Sequence, residues 1–361
     1  MALFGLGQKK DLVGLDIGSS SIKVAEIREL KKGRGYQLLN FGVESLPSDA
    51  IVDGSILDSA MVIEAIQKIF TDKKIRNRSV AINVAGTAVT IKRISLPRMA
   101  YAELAESINL EAEQYLPFGI DDVNIDFRIL ERPAGLQPEA DNNMDVLLVA
   151  AKKDRVNEYI SVVSQAGLTP MVVDVNVFAL QNCYEVNHPI EDGLTVLVDV
   201  GYSVTSVNVM LGGSSVFWRD LNTGGKKYNE AIQREMGVAE DQSEAFKRGQ
   251  TEASGVPVEQ VVSLLNGVSE EIVREISKTV EFCRQSTVDQ EVARVVLSGG
   301  SARVLNFDRV IGEALRAPVE ILNPFSHVAV DRKKFDAEWL MQYVPAASVA
   351  VGLGLRRIGD F

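Results

Sequence analysis

Two short stretches of this chain carry the same chemistry. Asp16-Ile17-Gly18-Ser19-Ser20-Ser21-Ile22-Lys23 follows the apolar run Leu12-Val13-Gly14-Leu15. Asp199-Val200-Gly201-Tyr202-Ser203-Val204-Thr205 follows the run Thr195-Val196-Leu197-Val198. In each, an apolar strand ends in Asp-x-Gly, passes small hydroxyl residues and enters a second apolar strand. A strand running into a tight Gly-Ser turn offers backbone N–H groups and hydroxyls to an anion. The Asp at the strand end holds a cation beside that anion through water. Gly18 and Gly201 permit close backbone approach, and Ser19, Ser20, Ser21, Ser203 and Thr205 supply hydroxyls. Two such turns, one in each half, suggest two jaws closing on one polyphosphate, with Asp16 and Asp199 as water-mediated metal contacts. Lys23 alternates with Ile22 and Val24 and so points opposite to them. A Lys between apolar neighbours often faces solvent, but beside Asp16 and the Ser turn phosphate contact is the better reading. The second turn lacks a Lys and has Tyr202 at its tip. Read as an ordinary hairpin, its match with the first would be a coincidence.

Three weaker stretches join them. Leu297-Ser298-Gly299-Gly300-Ser301-Ala302 reads as a strand, two glycines and a Ser N-cap opening a helix. Gly-Gly there lets a purine or its phosphates lie flat against backbone, though such a tetrapeptide alone is commonplace. Thr223-Gly224-Gly225 is either another backbone-approach turn or a plain strand-to-helix link. Glu244 and Lys247 stand at i and i+3 of a helix, as a surface ion pair or as a bracket for a ribose.

The elements that must position these residues follow the same duplication. Asp11 to Leu46 reads as three strands, Asp58 as the N-cap of a helix to about Asp72 with Met61, Ile63, Ala65, Ile66, Ile69 and Phe70 on its apolar face, and Ser79–Val84 as a buried strand. Residues 89–168 read as an inserted α+β unit: strand, helix from about Tyr101 to Leu116, two strands separated by a polar loop over Pro133–Met144, and a helix over Lys153–Ala166. The second half repeats the strand triplet, adds helices at Lys226–Met236, about Ala239–Gly249 and about Glu259–Gln285, and closes with strands at Val292–Leu297 and Val319–Leu322 and a helix near Pro345. The expected fold is α/β, duplicated around a cleft. Its units would be 1–88, 169–193 and 344–361 for the first subdomain, 89–168 for the insertion, 194–225 and 288–343 for the second subdomain and 226–287 for a helical lid.

Composition narrows the class. The 361 residues suffice for about two domains. A net charge of −11 argues against a nucleic-acid partner, which selects a basic face. The two cysteines, Cys183 and Cys283, sit among apolar neighbours and read as buried reduced thiols. His188 and His327 lack metal-ligand spacing. No apolar run approaches the ~20 residues of a membrane span. In Met1–Lys10 the lysines follow a very short apolar stretch, the wrong order for a secretory signal, so a cytoplasmic location is expected.

In this order the five stretches resemble the actin/Hsp70/sugar-kinase ATPase superfamily. The resemblance implies ATP with Mg2+ in the cleft, Asp16–Lys23 as the first phosphate loop, Asp199–Thr205 as the second and Ser298–Ser301 as the adenosine motif. Pro345–Gly354 resembles its second connecting helix, whose small residues allow close crossing at the hinge. The insertion resembles the extra subdomain of the cell-division protein FtsA. A narrower resemblance, to the PilM family of type IV pilus assembly proteins, rests on the Leu-Phe-Gly start, Val13–Lys23, Leu96-Pro97, Glu113-Gln114-Tyr115-Leu116-Pro117-Phe118, Gly167-Leu168 and Asp174–Leu180. FtsA carries an amphipathic membrane helix after the hinge helix, whereas here Leu355–Phe361 follows at once, which favours PilM. That family implies a cytoplasmic protein held at the inner membrane by the N-terminal tail of PilN, alongside other pilus-machine components, without inserting itself. The competing readings are a sugar or small-metabolite kinase, whose polar acceptor site does not stand out, and a filament-forming cell-division protein.

Overall fold

The computed structural model describes residues 11–31, 33–130, 143–251 and 256–360. Met1–Lys10 and residues 133–142 of the expected polar loop lie outside the described residues.

The first half starts with β1 (Val13–Ile17), β2 (Ser21–Glu29) and β3 (Tyr36–Ser45), a hairpin of β4 (Ile51–Val52) and β5 (Ser55–Ile56), α1 (Ser59–Asp72) and β6 (Ser79–Val84). The insertion follows as β7 (Val89–Pro97), α2 (Tyr101–Glu113), β8 (Val123–Ile129) and β9 (Asn143–Lys152). The chain returns through α3 (Lys153–Gln165), β10 (Thr169–Val175) and α4 (Asn176–Asn187). The second half is β11 (Leu194–Val200), β12 (Thr205–Leu211), β13 (Ser214–Leu221), α5 (Gly225–Met236), α6 (Glu240–Phe246), α7 (Val258–Ser286), β14 (Val292–Ser298), α8 (Phe307–Leu315) and β15 (Val319–Ile321). β16 (Val328–Ala329), α9 (Ala337–Tyr343) and α10 (Ser348–Leu355) complete it.

The duplication is topological as well as chemical. One sheet runs β10-β6-β1-β2-β3-β16 and the other β15-β14-β11-β12-β13. In both, the strand ending in Asp pairs antiparallel with the strand after its turn and parallel with a later strand on its other side. β1 and β11 are therefore central and buried along their whole length, which explains their near-continuous apolar sequence. The insertion has its own sheet, β7-β9-β8, and its own core around Leu104, Ile108, Val146 and Leu148.

Local expectations needed adjustment where packing outranked periodicity. Asp58 does cap α1, accepting the Met61 N–H at 3.0 Å. Val62 rather than Met61 faces the core, and Met61 is exposed, because the buried stripe runs Val62, Ala65, Ile66, Ile69, Phe70. Three domain boundaries also move. α3 inserts Tyr159, Val162 and Val163 into the core beneath α1, so it belongs to the first half rather than to the insertion. β16 pairs with β3, and Phe325, Phe335 and Leu340 pack with Leu38 and Phe41, so the return to the first half precedes residue 344. The 226–287 helices have no core of their own: α5 and α7 pack Tyr228, Ile232, Leu265 and Ile276 onto the second sheet.

The halves articulate where α10 crosses α4 and β1. A Cβ on Gly352 would stand 1.7 Å from the Ala179 carbonyl oxygen, and one on Gly14 would stand 2.0 Å from that of Ala350. Only glycine permits these backbone contacts. The small residues expected in Pro345–Gly354 thus do hold a close crossing, and every residue of α10 from Ser348 to Gly354 is buried.

Candidate functional site

The C-terminal ends of β1 and β11 face each other across a cleft of about 850 Å³. This is the arrangement in which α/β sheets bind ligands, beyond the carboxyl ends of their central strands. Ser19 and Ser203, one from each turn, have hydroxyl oxygens 3.0 Å apart. The two jaws meet.

On the first jaw, register places Lys23 directly across from Asp16, and Lys23 Nζ lies 3.3 Å from Asp16 Oδ2. Asp16 Oδ1 accepts from Asn83 Nδ2 at 2.9 Å. Asn83, at the end of β6, also accepts the Ile17 N–H and donates to Asn176 Oδ1 at 2.7 Å. Asn83 and Asn176 line the cleft and were missed from the sequence. A polar residue inside the apolar run Val80-Ala81-Ile82-Asn83-Val84, and another at a strand-to-helix junction, were the available signals.

On the second jaw, Ser206 occupies the register position that Lys23 holds on the first, opposite Asp199. Asp199 is buried and forms no ion pair among the described residues, and its pKa is raised to about 6, first by desolvation and next by the charge of Asp16, with Lys23 pulling it back. Two carboxylates that repel one another in one cleft, with Lys23 paired to Asp16, favour a divalent cation there. Among the described residues no cluster of three or more His, Cys, Asp or Glu could hold a metal alone. A site of two carboxylates suits Mg2+, which keeps several waters and shares its ligands with phosphate oxygens.

Most of the expected site residues line this cleft: Asp16, Gly18, Ser19, Ser20, Ser21, Lys23, Asp199, Gly201, Ser203, Glu244, Lys247, Gly299, Gly300 and Ser301. Thr205, Gly224 and Gly225 do not, and each has a structural task. Thr205 is fully buried and donates to the Thr223 carbonyl at 2.8 Å. The amides of Gly225 and Lys226 donate to the carbonyls of Gly201 and Tyr202, both at 2.8 Å, so the α5 N-terminus is spent on holding the second turn. A Cβ on Gly224 would meet Gly201 O at 2.5 Å, and one on Gly225 would meet Ser301 Oγ at 2.1 Å.

Ser301 opens no helix. Its N–H donates to Val200 O at 3.0 Å and its hydroxyl to Gly201 O at 3.4 Å, tying the Gly-Gly turn to the second jaw, and α8 starts only at Phe307. Gly299 has φ +94 and no room for a Cβ against Val200 O at 2.4 Å, whereas a Cβ on Gly300 would meet nothing within 4 Å. Gly300 leaves flat, open backbone on the cleft wall.

Glu244 and Lys247 form an ion pair at 2.6 Å, with Lys247 almost wholly buried and Glu244 half exposed to the cleft. Burial lowers the Lys247 pKa, and Glu244 works against that shift. At the mouth, Glu240 accepts from Tyr202 at 2.8 Å and from Ser48 of the first half at 3.3 Å, a second tie across the cleft. The cysteines are buried and free, the Cys283 thiol being raised to about 11 by burial. His188 stacks on Tyr184 and lies 3.2 Å from Glu320, a structural placement.

A family model described as type IV pilus assembly protein PilM matches residues 14–358. Among solved structures, a PilM-PilN type IV pilus biogenesis complex superposes with a TM-score of 0.83 at 27% identity, over 97% of this chain and 99% of that one. Ethanolamine utilization protein EutJ from Carboxydothermus hydrogenoformans gives 0.56 at 14% identity, over 96% and 90% of the two chains. MreB5 of Spiroplasma citri bound to AMPPNP gives 0.50 at 11% identity, over 96% and 95%. The last two are similar in fold.

Proposed function

Because this chain belongs to the family of type IV pilus assembly protein PilM, we propose that it is an ATP-binding cytoplasmic assembly protein that engages the N-terminal tail of the inner-membrane protein PilN. The observation that carries the nucleotide reading is the pair of Asp-ended turns, Asp16–Lys23 and Asp199–Ser206, meeting across one cleft. Ser19, Ser20, Ser21, Ser203 and Lys23 would hold the phosphates, Asp16 and Asp199 the waters of Mg2+, Glu244 the ribose with Lys247 supporting it from behind, and Gly299, Gly300 and Ser301 the adenosine. Bound Mg2+ neutralises phosphate charge and relieves the repulsion between the two carboxylates.

Nucleotide occupancy would bias the partner surface through a physical link. Asp220 on β13 accepts the Ser206 hydroxyl with Oδ1 and the Gly86 N–H with Oδ2, at 2.7 and 2.8 Å. Two residues earlier, Trp218 Nε1 donates to Ile91 O on β7, one of the two edge strands of the insertion's sheet. The second half therefore holds the insertion directly, and closing the cleft about α4 and α10 would shift the insertion against the first sheet. Binding of a PilN-tail peptide, followed by calorimetry with and without Mg-ATP, tests both parts. The peptide should bind, its affinity should change about 5-fold or more with nucleotide, and Trp218→Ala should remove most of that change while retaining peptide binding. A peptide that does not bind refutes the partner; an affinity indifferent to nucleotide refutes the coupling.

Turnover should be slow. The polar neighbours of Asp16 toward the connecting strands are the amides of Asn83 and Asn176, which orient water but accept no proton from it. The turns supply hydroxyls, N–H groups and Lys23. Phosphate release by the purified protein, with or without the PilN tail, should fall well below the ~1–100 s⁻¹ typical of kinases. Fast release by the purified protein would show a catalytic base in the cleft.

Among the described residues no helix is long and apolar enough to cross a membrane. The stretch Met1–Lys10, with Leu3, Phe4 and Leu6, is too short for a firm anchor. The purified protein should stay at the bottom of a liposome flotation gradient and rise only with vesicles bearing PilN. Flotation on bare vesicles would overturn the dependence on a partner.

A further inference from the structure

Asn229 is 2% exposed on α5, away from the residues that line the cleft, yet its side chain is committed to one that does. Its Nδ2 donates to Glu244 Oε1 at 2.8 Å, the same oxygen that accepts from Lys247 Nζ at 2.6 Å. Its own Oδ1 is buried without a hydrogen-bond partner. A buried, half-satisfied amide costs stability. What it accomplishes here is orientation. Two donors from inside the protein converge on one carboxylate oxygen and fix the plane of the group. Lys247 is spent on that oxygen and on the Gly225 carbonyl at 3.4 Å, so it is not free to meet a ligand. Among the described residues nothing engages Oε2, and the side chain that carries it is 42% exposed in the cleft.

We propose that Asn229 is a positioning residue that makes this cleft select ribonucleotides over deoxyribonucleotides. It holds Glu244 so that Oε2 accepts a hydrogen bond from a sugar hydroxyl. This deepens the nucleotide reading above and rests on it. An ionised carboxylate accepts and cannot donate, so its complement on the ligand is a donor, and on a nucleotide's sugar the donors are the hydroxyls. A sugar lacking that hydroxyl leaves the carboxylate without its partner, and sites built this way reject the deoxy analogue. Without Asn229 the carboxylate hangs on Lys247 alone, three residues along the same helix, and rotates.

The test is calorimetry of Mg2+ complexes of ATP, 2′-deoxy-ATP and 3′-deoxy-ATP with the full-length protein, with Asn229→Ala and with Asn229→Leu. The leucine variant fills the buried volume and also removes the unpartnered carbonyl, so it keeps the fold where alanine leaves a void. The wild type should prefer ATP by about tenfold over the analogue missing the contacted hydroxyl, the size of a charge-assisted hydrogen bond at a partly exposed site. In a folded Asn229 variant that preference should fall to about twofold or less, while affinity for the same deoxy analogue stays unchanged. A merely structural role would weaken all three nucleotides in parallel, and that outcome overturns the proposal. So does a wild type that binds the three equally, or folded variants that still discriminate. A wild type that binds none of them fails the nucleotide reading itself.

Discussion

Asp16→Ala and Asp199→Ala should each abolish Mg2+-dependent ATP binding by a protein that remains folded. Each carboxylate closes a phosphate turn from one side of the cleft, and each is buried, Asp16 beside Lys23 and Asp199 within the field of Asp16. Removing either leaves half of a shared cation site, and the expected loss is roughly 100-fold or more in affinity, equivalent to the ~3 kcal/mol that a charge-assisted contact reaches. Calorimetry with Mg-ATP measures it, and unchanged affinity in both variants would dispose of the two-jaw site. Asp199 also supplies its own control. Its pKa is raised to about 6 by burial and by Asp16, so the folded protein binds the proton more tightly than the unfolded chain does. Stability of the ligand-free protein therefore falls as pH rises from the ordinary Asp value near 4 through about 6. The neutral isostere in Asp199→Asn removes that penalty. It should melt at or above the wild type at pH 7.5, lose the advantage below pH about 4, and still fail to bind Mg-ATP. A variant that melts well below wild type at pH 7.5 would mean that ionised Asp199 holds the fold together.

Gly352→Val should be the most damaging single substitution at the hinge. Its Cβ would stand 1.7 Å from Ala179 O and 2.6 Å from Ala179 C, and these are backbone atoms of α4 that no rotamer change moves aside. The crossing helices must separate, which opens the core shared by α10, β1 and β2. The cost should lie at or beyond the ~3 kcal/mol upper end of ordinary overpacking. Thermal melting and soluble yield report it, with Gly267→Ala as the contrast. Gly267 lies on the exposed face of α7, with nothing within 4 Å of its would-be Cβ, so alanine there should stabilise the protein by about 1 kcal/mol through helix propensity. Equal effects at the two glycines would refute the backbone-contact account of the hinge.

The sequence by itself determined the duplication. Asp-x-Gly at the end of an apolar run is a local pattern, and its repetition at equivalent points of two halves predicts two matching strand pairs, which the two sheets contain, while the full strand order came from the fold. The Asp58 cap and the insertion's strands were readable for the same reason, each depending on residues close in sequence, whereas the hinge crossing was implied by the resemblance and joins Gly352 to Ala179. What required the tertiary structure were relations between distant residues. Asn83 holding Asp16, Asn229 holding Glu244 and Trp218 holding Ile91 join residues 67, 15 and 127 positions apart, and no periodicity connects them. Thr205, Gly224 and Gly225 carry the right residue types for phosphate contact, yet the fold spends them on fastening the second turn. Likewise α3 and the segment around β16 follow the insertion and the second half in sequence but pack on the first, because the apolar surface each must bury lies there. Local chemistry names the groups that could bind a ligand. Competition for partners in the folded chain decides which of them remain free to do so.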